Sequence, residues 1–279
     1  MPVLKNMEIG VMFWAGRDPL ETIREVKSLG VRCGQLGVPG HVPMDLAAAA
    51  QWNQALDVEQ FTLVTVFAAY NGEEYPDIPT VERTVGWVPA AFRAERLKRT
   101  FELSDFAKAL GAPSIALHVG CIPHDHQHPD YIAVREMTRL VCDYAARNGQ
   151  TFALETGQEP ATDLLEFFKD VGRANLRVNF DPANMILYGS GDPIEALTVL
   201  GPHVLSVHAK DGDWPPAGVA GALGTEKPLG QGSVGMARFV AKLKEIGYKN
   251  PVNIEREASD HQQRLADIRT GVALLQSLI

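Results

Sequence analysis

The chain has 279 residues, long for an average domain but ordinary for one α/β barrel, and enough to bury a large core. Hydrophobic residues make up 46% and charged residues 22%, the balance of a soluble globular protein, and no apolar run reaches the roughly 18 residues of a membrane span. A formal net charge of -8 argues against a nucleic-acid backbone as partner, because phosphate binding draws on an excess of Lys and Arg.

Cys33, Cys121 and Cys142 are odd in number, widely spaced and free of any CxxC pair. A disulfide framework or thiolate zinc site is therefore not expected, and a reducing cytoplasm suits the chain. The start, MPVLKNMEIGVMFW, lacks the basic stretch, long apolar core and small-residue cleavage site of a signal peptide, so none is expected.

Short apolar runs alternate with longer amphipathic ones. The former read as strands and the latter as helices. A strand near Glu8–Trp14 precedes a helix near Pro19–Leu29, and Cys33–Val38 precedes a helix near Asp45–Leu56. The third strand, Phe61–Phe67, leads through a long polar connection, Ala69–Pro89, to a helix near Arg93–Leu110. Ser114–Val119 pairs with Tyr131–Arg147, Thr151–Glu155 with Ala161–Val171, and Leu176–Asp181 with Pro193–Leu200. Val204–Ala209 leads through a second long connection, Lys210–Val234, to a helix near Gly235–Ile246, and Val252–Glu255 precedes a closing helix near Gln262–Leu278. Glycines at 30, 111, 149 and 247 follow the ends of helices, where glycine terminates them well. Eight strand–helix pairs imply one closed, parallel (β/α)8 barrel spanning residues 1–279. No GxGxxG follows the first strand, against a dinucleotide site. Both long connections follow strands, which places them on the C-terminal face where barrel enzymes carry their chemistry.

The last four strands end in Glu155, Asp181, His208 and Glu255. Three carboxylates and an imidazole would thus converge at one mouth of the barrel. Such carboxylates repel one another, the more so when desolvated, and a divalent cation relieves the conflict. The oxygen-rich donor set suits manganese first, with magnesium, cobalt or zinc as alternatives.

The motifs ALETGQE, NFDPANM, VHAKDG, PLGQGSV and NIERE resemble those of the xylose isomerase-like barrel superfamily, in its sugar phosphate isomerase/epimerase branch, over essentially the whole chain. The resemblance implies that these four residues bind one metal. By likeness to ketose 3-epimerases, Glu155 and Glu255 would also exchange a proton at the carbon beside a carbonyl through an enediolate. The substrate would then be a small carbohydrate, and the protein a homo-oligomer, dimer or tetramer, without nucleic-acid or membrane partners. The family often carries a histidine three residues after the Asp ligand; Asn184 stands there in this chain. A lyase or hydratase acting on an oxidised sugar or polyol could use the same groups. An abasic-site endonuclease or a non-catalytic sugar-binding protein fits less well.

His118, at the end of strand four, is expected in the mouth of the barrel as a substrate-binding or catalytic residue. Asn184, Lys210, Asp211 and Trp14 are further substrate-binding candidates: an amide for hydroxyls, a cation, a group steadying His208 or Lys210, and a ring to stack on a sugar. Glu257 is the alternative ligand to Glu255 if the eighth strand continues. The histidines of HDHQHP, at 124, 126 and 128, read as a solvated loop rather than a native metal site. The amides of PLGQGSV could hold an anion near the following helix.

Overall fold

A computed structural model describes residues 4–279. Eight strands form a closed, all-parallel barrel: β1 (Ile9–Trp14), β2 (Cys33–Val38), β3 (Thr62–Ala68), β4 (Ser114–Leu117), β5 (Thr151–Glu155), β6 (Leu176–Phe180), β7 (Val204–Ala209) and β10 (Val252–Ile254). Neighbours in sequence are neighbours in the sheet, and β10 closes it against β1. The helices α1 (Pro19–Lys27), α2 (Leu46–Glu59), α4 (Arg93–Ala109), α5 (Pro129–Arg147), α6 (Ala161–Val171), α8 (Pro193–Leu200), α9 (Met236–Glu245) and α10 (His261–Leu278) connect the strands and close the chain. Asp18, Asp45, Asp192 and Asp260 cap α1, α2, α8 and α10 by accepting backbone amides of the first turn. Among the described residues, no helix is long and apolar enough to cross a membrane.

The main apolar core lies between barrel and helices, with Trp87, Phe152, Phe167, Phe180 and Phe239 among its fully buried side chains. A small second core of Met12, Phe67, Ala116 and Ala153 packs separately. Side chains two apart share a face of a strand. On the four last barrel strands that face carries Ala153, Asn179, Ser206 and Asn253, and two residues further on come Glu155, Asp181, His208 and Glu255. The register staggers these layers from strand to strand: Glu155 pairs with Asn179, Asn179 with Ser206, and Asn253 with His208.

Four elements depart from the sequence expectation. The connection after β3 contains α3 (Ile78–Thr84), capped by Asp77. The connection after β7 contains a hairpin of β8 (Asp211–Asp213) and β9 (Thr225–Lys227), antiparallel to each other. A further helix, α7 (Pro182–Tyr188), follows β6 directly. The two long connections also meet, the Ile78 amide donating to the Gly221 carbonyl at 2.9 Å.

Candidate metal centre

Glu155, Asp181, His208 and Glu255 come together at the C-terminal mouth of the barrel. Each offers one ligand atom, these atoms lie within 4.8 Å of one another, and all four residues are buried. Among the described residues this is the only such group of His, Cys, Asp and Glu. His208 Nδ1 lies 2.6 Å from Glu155 Oε1, 3.0 Å from Glu255 Oε2 and 3.6 Å from Asp181 Oδ2. Yet Nδ1 and Asp181 Oδ2 are both buried without a hydrogen bond. Burying such atoms unsatisfied is costly. A divalent cation between them would satisfy both, so the donor set fits a metal.

The imidazole is fixed from behind. His208 Nε2 stands 2.7 Å from Gln35 Oε1, so the proton assigned to Nε2 leaves Nδ1 facing the carboxylates. Gln35 Nε2 in turn donates to Asn179 Oδ1, which also accepts from the Ser206 hydroxyl, and Asn179 Nδ2 donates to Glu155 Oε1 at 3.3 Å. Gln35 and Asn179 went unnoticed in the sequence. Their signal was a buried-strand amide in CGQLGV and in RVNF.

Asp181 lies one residue past β6. Its Oδ1 accepts the Asn184 amide and caps α7, while Oδ2 faces the cluster. Glu155 divides its oxygens similarly, with Oε2 2.5 Å from His118 Nε2. Burial raises the pKa of Glu155, but the facing His118 and His208 outweigh it and bring the group down to about 2. Burial pulls His118 down, and the charge of Glu155 reverses this, taking it up to about 9. Asp181 goes the other way, pushed by burial up to about 6.

Lys210 is buried beside Glu255, its Nζ 3.1 Å from Oε2 and 3.0 Å from Glu257 Oε2. Glu257 is therefore a rim residue that partners Lys210 and is not in the cluster. Above the cluster opens a cavity of about 460 Å³, to which Trp14, His118, Asn184 and Lys210 all contribute. Trp14 is 43% exposed at the mouth, and Phe67, Tyr75 and Tyr188 add further aromatic wall.

Asp211 does not line this cavity. Its carboxylate accepts the amides of Gly212, Gly230, Gly232 and Val234 at 2.9–3.1 Å. The Asp211 carboxylate is thus taken up by backbone, and the amides of PLGQGSV already hold an anion, the chain's own aspartate. His124 and His126 of HDHQHP line a smaller cavity together, each beside its own carboxylate. His124 pairs with Asp163 at 2.5 Å, His126 with Asp170 at 3.1 Å, and His128 caps α5.

A family model described as the xylose isomerase-like TIM barrel matches residues 23–278. The chain belongs to that family. Among members of this fold, a xylose isomerase domain protein from Planctomyces limnophilus is 40% identical, with a TM-score of 0.93 over 98% of this chain and 97% of that one. A D-psicose 3-epimerase, solved in the presence of D-fructose, is 16% identical with a TM-score of 0.71 over 98% and 99%, a likeness of fold. An uncharacterized protein from Methanocaldococcus jannaschii is 26% identical over 160 residues, 53% of this chain and 52% of that protein, so the match spans about half its length.

Proposed function

We propose that the protein is a divalent-metal-dependent sugar isomerase or epimerase, with Glu155, Asp181, His208 and Glu255 holding the metal and Glu155 and Glu255 also moving the proton. The observation that carries this reading is the buried convergence of three carboxylates on a histidine nitrogen that has no hydrogen bond. A cation held there would act as a Lewis acid on a carbonyl and its neighbouring hydroxyl. The two glutamates stand at the ends of different strands and have different partners. Glu155 faces His118 and Glu255 faces Lys210, so each has a group that can take up or return charge when its own protonation changes. Asn184 can hydrogen-bond a hydroxyl, and Trp14 can cover a sugar face.

The cavity also bears on the kind of carbohydrate. Glu73, Glu155, Glu226, Glu255 and Glu257 line it, and its one lysine is already held by two carboxylates. No basic group is left over for a phosphate, which supports a neutral sugar. The likeness to D-psicose 3-epimerase supports ketoses as the first compounds to try.

The test is a panel of ketoses and keto-sugars incubated with metal-loaded protein in deuterated water and followed by NMR. Deuterium should enter at one carbon beside the carbonyl without loss of water, and Glu155→Gln and Glu255→Gln should each slow this about 10²–10⁴-fold. Exchange that persists in Glu255→Gln would sink the acid/base assignment. Loss of water from the sugar would favour the lyase or hydratase.

A further inference from the structure

A second cavity of about 420 Å³ opens on the same face of the barrel. Its walls come from α3 and from the segments that follow β4, β5 and β6, all at the C-terminal ends of strands. Tyr188, the last residue of α7, lines both this cavity and the one above the metal cluster, so a single side chain stands in both walls. The site described above uses nothing else from this second cavity.

Its chemistry is that of a hydroxyl-binding space. Ile78 and Ile122 supply apolar wall, while Glu82, Gln158 and Glu159 supply polar atoms. Gln158 Nε2 is buried within reach of the Tyr188 hydroxyl but lacks a partner at good hydrogen-bond geometry. Glu159 is 6% exposed, and its side chain accepts the Ile122 amide at 2.7 Å but, among the described residues, pairs with no cation. Lysine and arginine are missing from the lining, and its one histidine, His124, is paired with Asp163, which favours a neutral guest over a phosphate or carboxylate. Donor amide, acceptor carboxylate and apolar wall together are what a neutral sugar ring with its hydroxyls and C–H faces calls for.

We propose that this cavity is a subsite for a second, neutral sugar ring, so that the substrate is a glycoside whose reacting unit lies at the metal cluster and whose second ring lies beyond Tyr188. The proposal rests on the sugar isomerase/epimerase reading and narrows its substrate class.

The test compares D-fructose with turanose, maltulose and isomaltulose, glucosyl-fructose disaccharides whose fructose unit remains a free ketose. Affinity is measured calorimetrically on the metal-loaded protein, and deuterium exchange is followed in parallel. At least one disaccharide should bind tenfold or more tightly than D-fructose. Gln158→Ala, and Ile122→Trp designed to fill the cavity, should each erase that gain while leaving D-fructose affinity within twofold. Thermal melts check that both variants fold, and Glu159→Gln, the least disruptive change, should weaken the disaccharide alone. If no disaccharide outbinds D-fructose, or the variants weaken both sugars equally, the subsite is refuted. Exchange with D-fructose but no disaccharide gain leaves the reaction standing and removes the subsite. A disaccharide gain lost in Gln158→Ala, without exchange in any sugar, keeps the subsite and removes the reaction.

Discussion

His208 Nδ1 and Glu155 Oε1 approach to 2.6 Å without the geometry of a hydrogen bond. Both atoms point into the same buried cluster, where a cation could take them as ligands after a small separation. The Nε2 side is already taken by Gln35, so the ring is aimed as well as placed.

Metal loading should therefore stabilise the fold and depend on pH. At a hundredfold excess over Kd, linkage gives about 2.7 kcal/mol, a Tm rise of roughly 5–10 °C. In the metal-free protein, burial lowers the His208 pKa, but Glu255 and Glu155 carry it well above the ordinary histidine range. A metal bound at Nδ1 displaces that proton, so affinity should fall about tenfold for each pH unit of acidification. Competition with a chromophoric chelator between pH 8.5 and 6 measures the slope, and a flat profile would remove Nδ1 from the ligand set.

Lys210→Met should destabilise the metal-free protein by about 3–5 kcal/mol, because it strands a buried carboxylate at Glu255. The loss should be smaller with metal bound, since the cation then neutralises the same group. Denaturant melts with and without chelator give both numbers. Equal losses would mean that Lys210 does not act through Glu255.

Asp211→Asn should loosen the loop after β7. The amide keeps one acceptor oxygen and turns its NH₂ toward backbone N–H groups that now meet a carboxylate. We expect a loss of about 2–3 kcal/mol and faster proteolysis within residues 214–234. Unchanged cleavage would show that the four amides hold the loop without the charge.

Glu159→Gln should stabilise the protein above neutral pH. Burial pushes the Glu159 carboxyl up to about 7, against an ordinary glutamate value of 4.5 in the unfolded chain. Between those values the folded state holds more protons than the unfolded one, so stability falls as pH rises through the window and stays lowered above it. The glutamine variant should lack this decline and gain about 1 kcal/mol or more at pH 8, with little difference at pH 4. Melts across pH 4–8 that run parallel for both proteins would contradict the assignment.

The parts of the fold legible in the sequence were those with their own periodicity. Cys33–Val38, Thr151–Glu155, Val204–Ala209, Ala161–Val171 and Pro193–Leu200 stand where their patterns put them. The four cluster residues were legible because each ends an apolar run. Helix α7 was not, since seven residues carry too little period and Pro182 reads as a strand end. The hairpin of DGD and TEK has no apolar alternation to betray it. Gln35 and Asn179 meet only because the barrel closes: Gln35 contacts His208 across 173 positions and Asn179 across 144, separations invisible to local pattern. The backbone partners of Asp211, 19 to 23 residues away, were likewise out of reach of local pattern.

Asp181 gives one oxygen to the start of α7 and turns the other to the cluster. The carboxylate cannot swing to suit a different ion without surrendering the first turn of that helix. Tyr188, at the far end of the same seven residues, stands between the two cavities. On the metal-dependent sugar reading proposed above, the radius of the ion at one end of α7 is thereby tied to the partition at the other, and exchanging a small cation for a larger one should change which sugars are admitted as well as the rate.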